Sequence, residues 1–368
     1  MRGIEIEGLP FGVGLAFELH RENHRFHGTE PAEARYTIRD LPIPTTQVFQ
    51  QPKAFAGPAI MVHDYRPQTI DPPLLDDLSQ IIRLAIREDL DRTGDITTMA
   101  IVPMSVRGSA ALISRSSGVA AGIDLIEAML QEMDTPIEWN QHVGDGESVI
   151  AGQALAVLSG PARDLLTCER TLLNVICHLS GIASLTQKYV AAVAGTKARV
   201  YDTRKTTPGW RRLEKYAVRC GGGHNHRLGL YDGILIKDNH LACRAVVDGH
   251  LLDPGEAIQL ARTFLASGAY RFDSPPMLEV EIDRIEQLEP ALRSSPNIVL
   301  LDNMSCDQLS ECVTLRNRIA PDVELEASGG VNLKTIGAIA ATGVDRISVG
   351  ALTHSAPVHD IGLDWSIV

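Results

Sequence analysis

From Leu74 onward the apolar residues fall into helical order: Leu74, Leu75, Leu78, Ile81, Ile82, Ala85 and Ile86 recur at three- and four-residue intervals behind Pro72-Pro73. That spacing predicts an amphipathic helix. Between residues 96 and 160, short apolar runs such as Ala110-Ala-Leu-Ile and Ala154-Leu-Ala-Val-Leu alternate with glycine-rich turns and predict the strands of a small mixed α/β domain. A long helical stretch is expected from about Ala162 to Ala194, interrupted near Gly181. From residue 198 a unit repeats in which a short apolar strand ends on a polar or small residue and a helical stretch follows. The strands are Ala198–Asp202, Gly233–Lys237, Met277–Glu281, Ile298–Asp302, Glu324–Ser328 and Arg346–Gly350. Such alternation predicts a parallel sheet, and six units predict a barrel with its chemistry at the carboxyl ends of the strands. Those ends carry Asp202, Lys237, Glu281, Asp302, Ser328 and Gly350.

Residues 1–70 show no sustained period and are expected to form a poorly ordered extension. His20, His24 and His27 stand there at helical spacing without a second ligand cluster, which reads as solvated histidines, and Met61 is an alternative start. The 368 residues suit two domains. A net charge of -12 argues against a general nucleic-acid or anionic-membrane binder, so any anion site must be local. Six scattered cysteines read as reduced thiols. The chain opens without a basic, apolar leader and shows no run near the roughly 20 apolar residues of a membrane span, so a cytoplasmic protein is expected.

Residues 199–240 reverse the overall charge, with nine Lys or Arg against four acids. A basic run is usually a solvated face. Arg204, Lys205 and Lys237, however, sit at strand ends, where converging cations suit a substrate with several carboxylates or phosphates. Ser328-Gly329-Gly330, followed by an expected helix from Asn332 to Ala341, and Val349-Gly350-Ala351 look like a phosphate cup. Glu281 and Asp302 end successive strands and face one mouth, either as ion-pair partners of the cations or as ligands for ribose hydroxyls and Mg2+. His224 and His226 lack the third ligand that a zinc site needs.

The phrases Arg204-Lys-Thr-Thr-Pro-Gly, Gly223-His-Asn-His-Arg-Leu-Gly, Ile236-Lys-Asp-Asn-His, Glu279-Val-Glu, Leu301-Asp-Asn-Met, Glu326-Ala-Ser-Gly-Gly and Ser348-Val-Gly-Ala-Leu-Thr-His resemble the quinolinate phosphoribosyltransferase family. Arg87–Thr98, Glu169–Asn174 and Leu179–Ala183 extend the likeness upstream, in order, from about residue 73 to the C-terminus. The resemblance implies an N-terminal α/β sandwich domain over residues 71–182, with residues 356–368 packing back onto it, and an open, incomplete α/β barrel over 183–355, as in type II phosphoribosyltransferases. It implies a homodimer with shared active sites, or dimers grouped into a hexamer. Arg170 is then the neighbouring subunit's contribution, and Arg204, His226 and Arg227 hold the two quinolinate carboxylates. Lys205, Lys237, Glu281 and Asp302 match the residues around phosphoribosyl pyrophosphate and carry the catalysis, with Ser328, Gly329, Gly350 and His354 as the phosphate pocket. Mg2+ is held mainly through substrate, with Glu281 and Asp302 as candidate ligands. The sequence departs from the pattern before residue 73, in a longer stretch from Val247 to Pro276, and at His178, where some members carry Arg.

The implied reaction transfers phosphoribosyl to quinolinate with decarboxylation, giving nicotinate mononucleotide, carbon dioxide and pyrophosphate. Three rivals stand beside it: a relative acting on another aromatic acid, such as the molybdenum-transport-associated homologues; a Schiff-base aldolase built on Lys237; and a non-enzymatic anion-binding scaffold.

Overall fold

The computed structural model describes residues 64–366 apart from 251, 269–271 and 273–274. His20, His24, His27 and Met61 lie outside the described residues. The first helix, α1 (Pro72–Leu90), starts where Asp71 accepts the Leu74 amide at 3.0 Å, and it buries Leu74, Leu78 and Ile82. Behind it come α2 (Ile96–Ile101), β1 (Arg107–Ser114), β2 (Gly118–Val119), α3 (Ile126–Glu132), β3 (Glu138–Gln141), β4 (Ser148–Val149) and β5 (Ala154–Pro161). A helix of 31 residues, α4 (Ala162–Ala192), leads out of this layer.

No break occurs at Gly181, contrary to the expected interruption. A Cβ there would stand 2.2 Å from the Pro357 carbonyl oxygen, so the glycine admits the returning C-terminal chain against an unbroken helix. That chain ends in β12 (Ile361–Ser366), which pairs antiparallel with β1 in a four-stranded sheet of order β12-β1-β5-β3.

The second layer contains β6 (Arg199–Tyr201), α5 (Arg211–Cys220), β7 (Gly233–Ile236), α6 (Asp238–Asp248), α7 (Pro254–Ala266), β8 (Met277–Ile282), α8 (Leu288–Arg293), β9 (Ile298–Asp302), α9 (Cys306–Ile319), β10 (Glu324–Ser328), α10 (Ile336–Ala341), β11 (Arg346–Ser348) and α11 (Ala351–His354). Its six strands run parallel in the order β6-β11-β10-β9-β8-β7. The consecutive strands β6 and β7 stand at opposite ends of that order and do not pair, so the barrel is open between them. In the gap lies the segment His224–Arg227: His224 bridges Tyr201 of β6, and Arg227 Nη1 donates to the Gly233 carbonyl of β7 at 3.3 Å.

The start of the folded body differs from the sequence reading. Residues 64–70 belong to the folded body, with Tyr65 and Gln68 buried, because the open barrel offers an interior that an aromatic ring fills. A boundary at residue 182 falls inside α4, which packs on β1, β5 and β12 and also on α5 and β6, so both layers share one apolar core. Within the longer stretch from Val247 to Pro276 lies α7, capped by a reciprocal pair: Asp253 accepts the Glu256 amide at 2.9 Å and Glu256 accepts that of Asp253 at 3.1 Å.

Candidate active site

Side chains two apart on a strand share a face, and on the barrel strands this stacks polar groups in tiers. Nearest the amino ends, Arg199 Nη2 donates to Glu324 Oε1 at 2.6 Å, and Arg346 Nη1 lies 3.3 Å from Glu324 Oε2. Asp64 joins them, 3.5 Å from Arg199 and 3.4 Å from His224 Nδ1, and the Arg346 guanidinium sits 3.6 Å from the centre of the Tyr201 ring. One tier up, Arg346 Nε donates to Glu326 Oε2 at 2.7 Å and the Tyr65 hydroxyl to Glu279 Oε2 at 2.9 Å. His226 Nε2 faces both acids, 3.2 Å from Glu279 and 3.5 Å from Glu326.

His226 therefore turns Nε2 toward the two floor carboxylates. Its Nδ1 accepts the Arg227 amide at 2.8 Å, placing the ring proton on Nε2, and the side chain is only 6% exposed. Burial presses its pKa down, yet Glu279 and Glu326 outweigh that and the net shift is upward. His226, Glu279 and Glu326 bring three ligand atoms within 4.8 Å of one another. Arg346 and Tyr65 already engage these two carboxylates, so the trio reads as a polar core rather than a cation seat.

The uppermost tier is different in kind. Arg204 carries a buried Nε with no partner among the described residues, and Arg227 is buried beside it. Burial draws the Arg227 pKa below its ordinary value and the like charge of Arg204 draws it the same way, against Tyr65, so the two guanidinium groups lie within reach of each other's charge. Lys237 pairs with Glu281, and Asp302 accepts the Asn303 side-chain amide at 2.7 Å. Ser328 lies beside Asp302 in the parallel register. Gly329 has φ +96° and faces Asn303 Oδ1, which a Cβ would approach to 2.1 Å; only glycine fits. At Gly350 a Cβ would be 3.1 Å from His354 Nε2 and 3.2 Å from Lys205 Cδ, so Lys205, Gly350 and His354 meet. The helix expected from Asn332 begins at Ile336, after a turn closed by the Thr335 amide on the Asn332 carbonyl at 3.0 Å.

Arg170 is not gathered with these residues. It stands exposed on α4, with its charge felt at Cys177.

Scaffolding takes Asp202, which the sequence places at a strand end, together with charges around it. Asp202 is fully buried: it pairs with Lys215 and accepts the Asn225 side-chain amide at 2.7 Å and the His226 amide at 2.8 Å. Lys215 Nζ also donates to the His226 carbonyl at 2.8 Å, so this pair fixes the segment that carries Arg227. Buried Glu214 accepts the Thr207 amide at 3.1 Å and lies 3.0 Å from His178 Nε2, which makes His178 a brace for the Arg204 loop. Glu279, Glu326 and Tyr65 were missed. The two-residue spacing of Glu279 with Glu281, and of Glu326 with Ser328, holds the signal for the first two.

The chain is similar to known proteins over most of its length. The family model for the quinolinate phosphoribosyl transferase C-terminal domain matches residues 182–364, and that for the N-terminal domain matches residues 95–180. A nicotinate-nucleotide pyrophosphorylase [carboxylating] of Mycobacterium leprae is 46% identical over 285 residues, covering 77% of this chain and 95% of its own. A probable nicotinate-nucleotide pyrophosphorylase [carboxylating] of Bacillus subtilis is 37% identical over 290 residues, covering 79% and 94%. The solved nicotinate-nucleotide pyrophosphorylase of Francisella tularensis superposes with a TM-score of 0.72 at 34% identity, over 82% of this chain and all of the other.

Proposed function

This chain belongs to the quinolinate phosphoribosyltransferase family, and we propose that the residues gathered at its barrel mouth divide that family's reaction among them. The enzyme transfers phosphoribosyl from phosphoribosyl pyrophosphate to quinolinate with decarboxylation, giving nicotinate mononucleotide, carbon dioxide and pyrophosphate in NAD biosynthesis. Two carboxylates on a pyridine ring call for cations in a plane. Arg204 and Arg227 converge from two segments, and the unpartnered, buried Nε of Arg204 is the observation that carries the assignment. Clamping the ring orients its nitrogen toward the ribose, a source of several kcal/mol of rate acceleration.

As pyrophosphate departs, positive charge grows at the anomeric carbon. Glu281 and Asp302 face that charge, while Lys205 and Lys237 stabilise the leaving group. The same guanidinium groups keep the carboxylate next to the pyridinium nitrogen ionised, which favours loss of carbon dioxide. Among the described residues Glu281 and Asp302 belong to no cluster of three candidate ligands, and Asp302 keeps an oxygen free of the Asn303 bond. Such a donor set suits Mg2+ bound largely through substrate oxygens, where it would neutralise pyrophosphate charge. A homodimer completes the reading: Arg170 is exposed, and Leu230 and Tyr231, 72% and 68% exposed, offer apolar surface just beyond Arg227. Among the described residues no helix is long and apolar enough to cross a membrane, and the six free cysteines suit a reducing, cytoplasmic setting.

The aldolase alternative fits poorly, since Lys237 is ion-paired with Glu281 and 41% exposed, whereas a Schiff-base lysine wants desolvation without an acid partner. The deciding assay combines purified protein, Mg2+ and phosphoribosyl pyrophosphate with quinolinate or with nicotinate. Nicotinate mononucleotide and carbon dioxide should form from quinolinate alone; equal turnover of nicotinate would overturn the paired-carboxylate clamp.

A further inference from the structure

The segment Asp64–Gln68 precedes both regions matched by the family models, yet it touches the three residues, His224, Asn225 and His226, that lead into Arg227. Asp64 lies 3.4 Å from His224 Nδ1. The Gln68 amide donates to Asn225 Oδ1 at 2.7 Å, and Asn225 in turn donates to Asp202 and to the Lys215 carbonyl. Tyr65 stacks on His226 with ring centres 4.9 Å apart and planes 27° from parallel. Its hydroxyl binds Glu279 on β8, and a Cβ at Gly233 of β7 would come within 2.9 Å of Cε1. Tyr65 thus occupies the gap that β6 and β7 leave unpaired.

We infer that Asp64–Gln68 is an internal strap that holds the His224–Arg227 segment in register, and that Tyr65 is a positioning residue for the quinolinate clamp. The physical reason is the open barrel. A strand locked by neighbours on both sides has its register fixed by hydrogen bonds, but His224–Arg227 has a ladder partner only on the β6 side. The other side is held by Tyr65, which stacks on His226 and bonds Glu279, by the contact of His226 Nε2 with Glu279 at 3.2 Å, and by the bond from Arg227 to Gly233, with Asp202 and Lys215 anchoring the His226 backbone. Because the His226 Nδ1 accepts the Arg227 amide, a tilt of the ring moves the backbone of the clamping arginine. Substrate orientation tolerates such shifts poorly.

The inference rests on the clamp assigned above, so the experiment on the full-length chain reads it in two independent ways. Hydrogen exchange, which needs no activity, should show the amides of residues 224–227 in Tyr65→Ala exchanging about tenfold faster, with β9 and β10 unchanged. In steady-state kinetics Tyr65→Ala should raise KM for quinolinate about tenfold while KM for phosphoribosyl pyrophosphate stays within about twofold. Tyr65→Phe keeps the stack, loses the bond to Glu279, and should recover most of the quinolinate affinity. Unchanged exchange at residues 224–227 in a folded Tyr65→Ala would overturn the strap, as would an equal rise in both KM values. If Tyr65→Ala does not fold, Tyr65→Phe decides alone: a quinolinate-selective rise of about threefold supports the inference, and wild-type behaviour in both assays removes it. Accelerated exchange in a protein that fails to turn over quinolinate would sink the functional reading and leave the strap standing.

Discussion

The floor and the mouth of the barrel are built from the same residue types, but they treat charge in opposite ways. On the floor Asp64, Glu279, Glu324 and Glu326 each meet an arginine, a histidine or the Tyr65 hydroxyl. At the mouth Arg204 keeps a buried nitrogen without a hydrogen-bond partner among the described residues, Arg227 is buried within reach of its charge, and Lys205 is exposed. Charges balanced within the protein hold the barrel together. Charges left in excess wait for an anion from outside, and a net charge of -12 makes that local excess the more informative.

Four variants test this contrast. The largest effect belongs to the floor: Arg346→Ala strips buried Glu326 of its guanidinium partner, while Glu324 keeps Arg199, and should cost about 3–5 kcal/mol in denaturant unfolding, the usual range for breaking a buried pair. A loss below about 1 kcal/mol would remove the floor's structural role. Arg204→Ala should do the reverse, lowering kcat/KM for quinolinate about a hundredfold while unfolding shifts by less than about 0.5 kcal/mol; equal damage to stability would place it with the floor.

A smaller effect concerns pH. Burial raises the Asp64 pKa, but the His224 hydrogen bond and then the guanidinium of Arg346 outweigh it, leaving the carboxyl below its ordinary 3.8. Its stabilisation is therefore complete above 3.8 and lost as pH falls through the lower folded value. Unfolding curves recorded on either side of 3.8 should show a steeper acid loss in wild type than in Asp64→Asn. Smallest of all, Arg83→Ala removes an exposed contact with Glu132 and should leave the unfolding midpoint where it was.

The six barrel strands could be read from the chain because parallel strands buried on both faces leave short, nearly continuous apolar runs. The mouth was legible too, since Lys237, Glu281, Asp302 and Ser328 follow from where those runs stop. Asp202 shows the limit: it occupies the same position at a strand end, but the barrel is open beside β6, and the carboxylate turns inward to Lys215. Gly181 misled because a helix-breaking residue and a residue that admits a neighbouring backbone look alike in one dimension. Tyr65 gave no signal at all, for a lone aromatic in an aperiodic segment acquires meaning only from the cavity it enters.

A closed ring of strands has a circumference set by strand number and stagger, and it widens only when one of those two changes by a whole step. Here the ring stops short between β6 and β7, so the bore is dictated by whichever side chains wedge the two margins apart. The dimensions of the substrate chamber can then drift by single substitutions in a loop, while the five remaining strand pairings stay untouched.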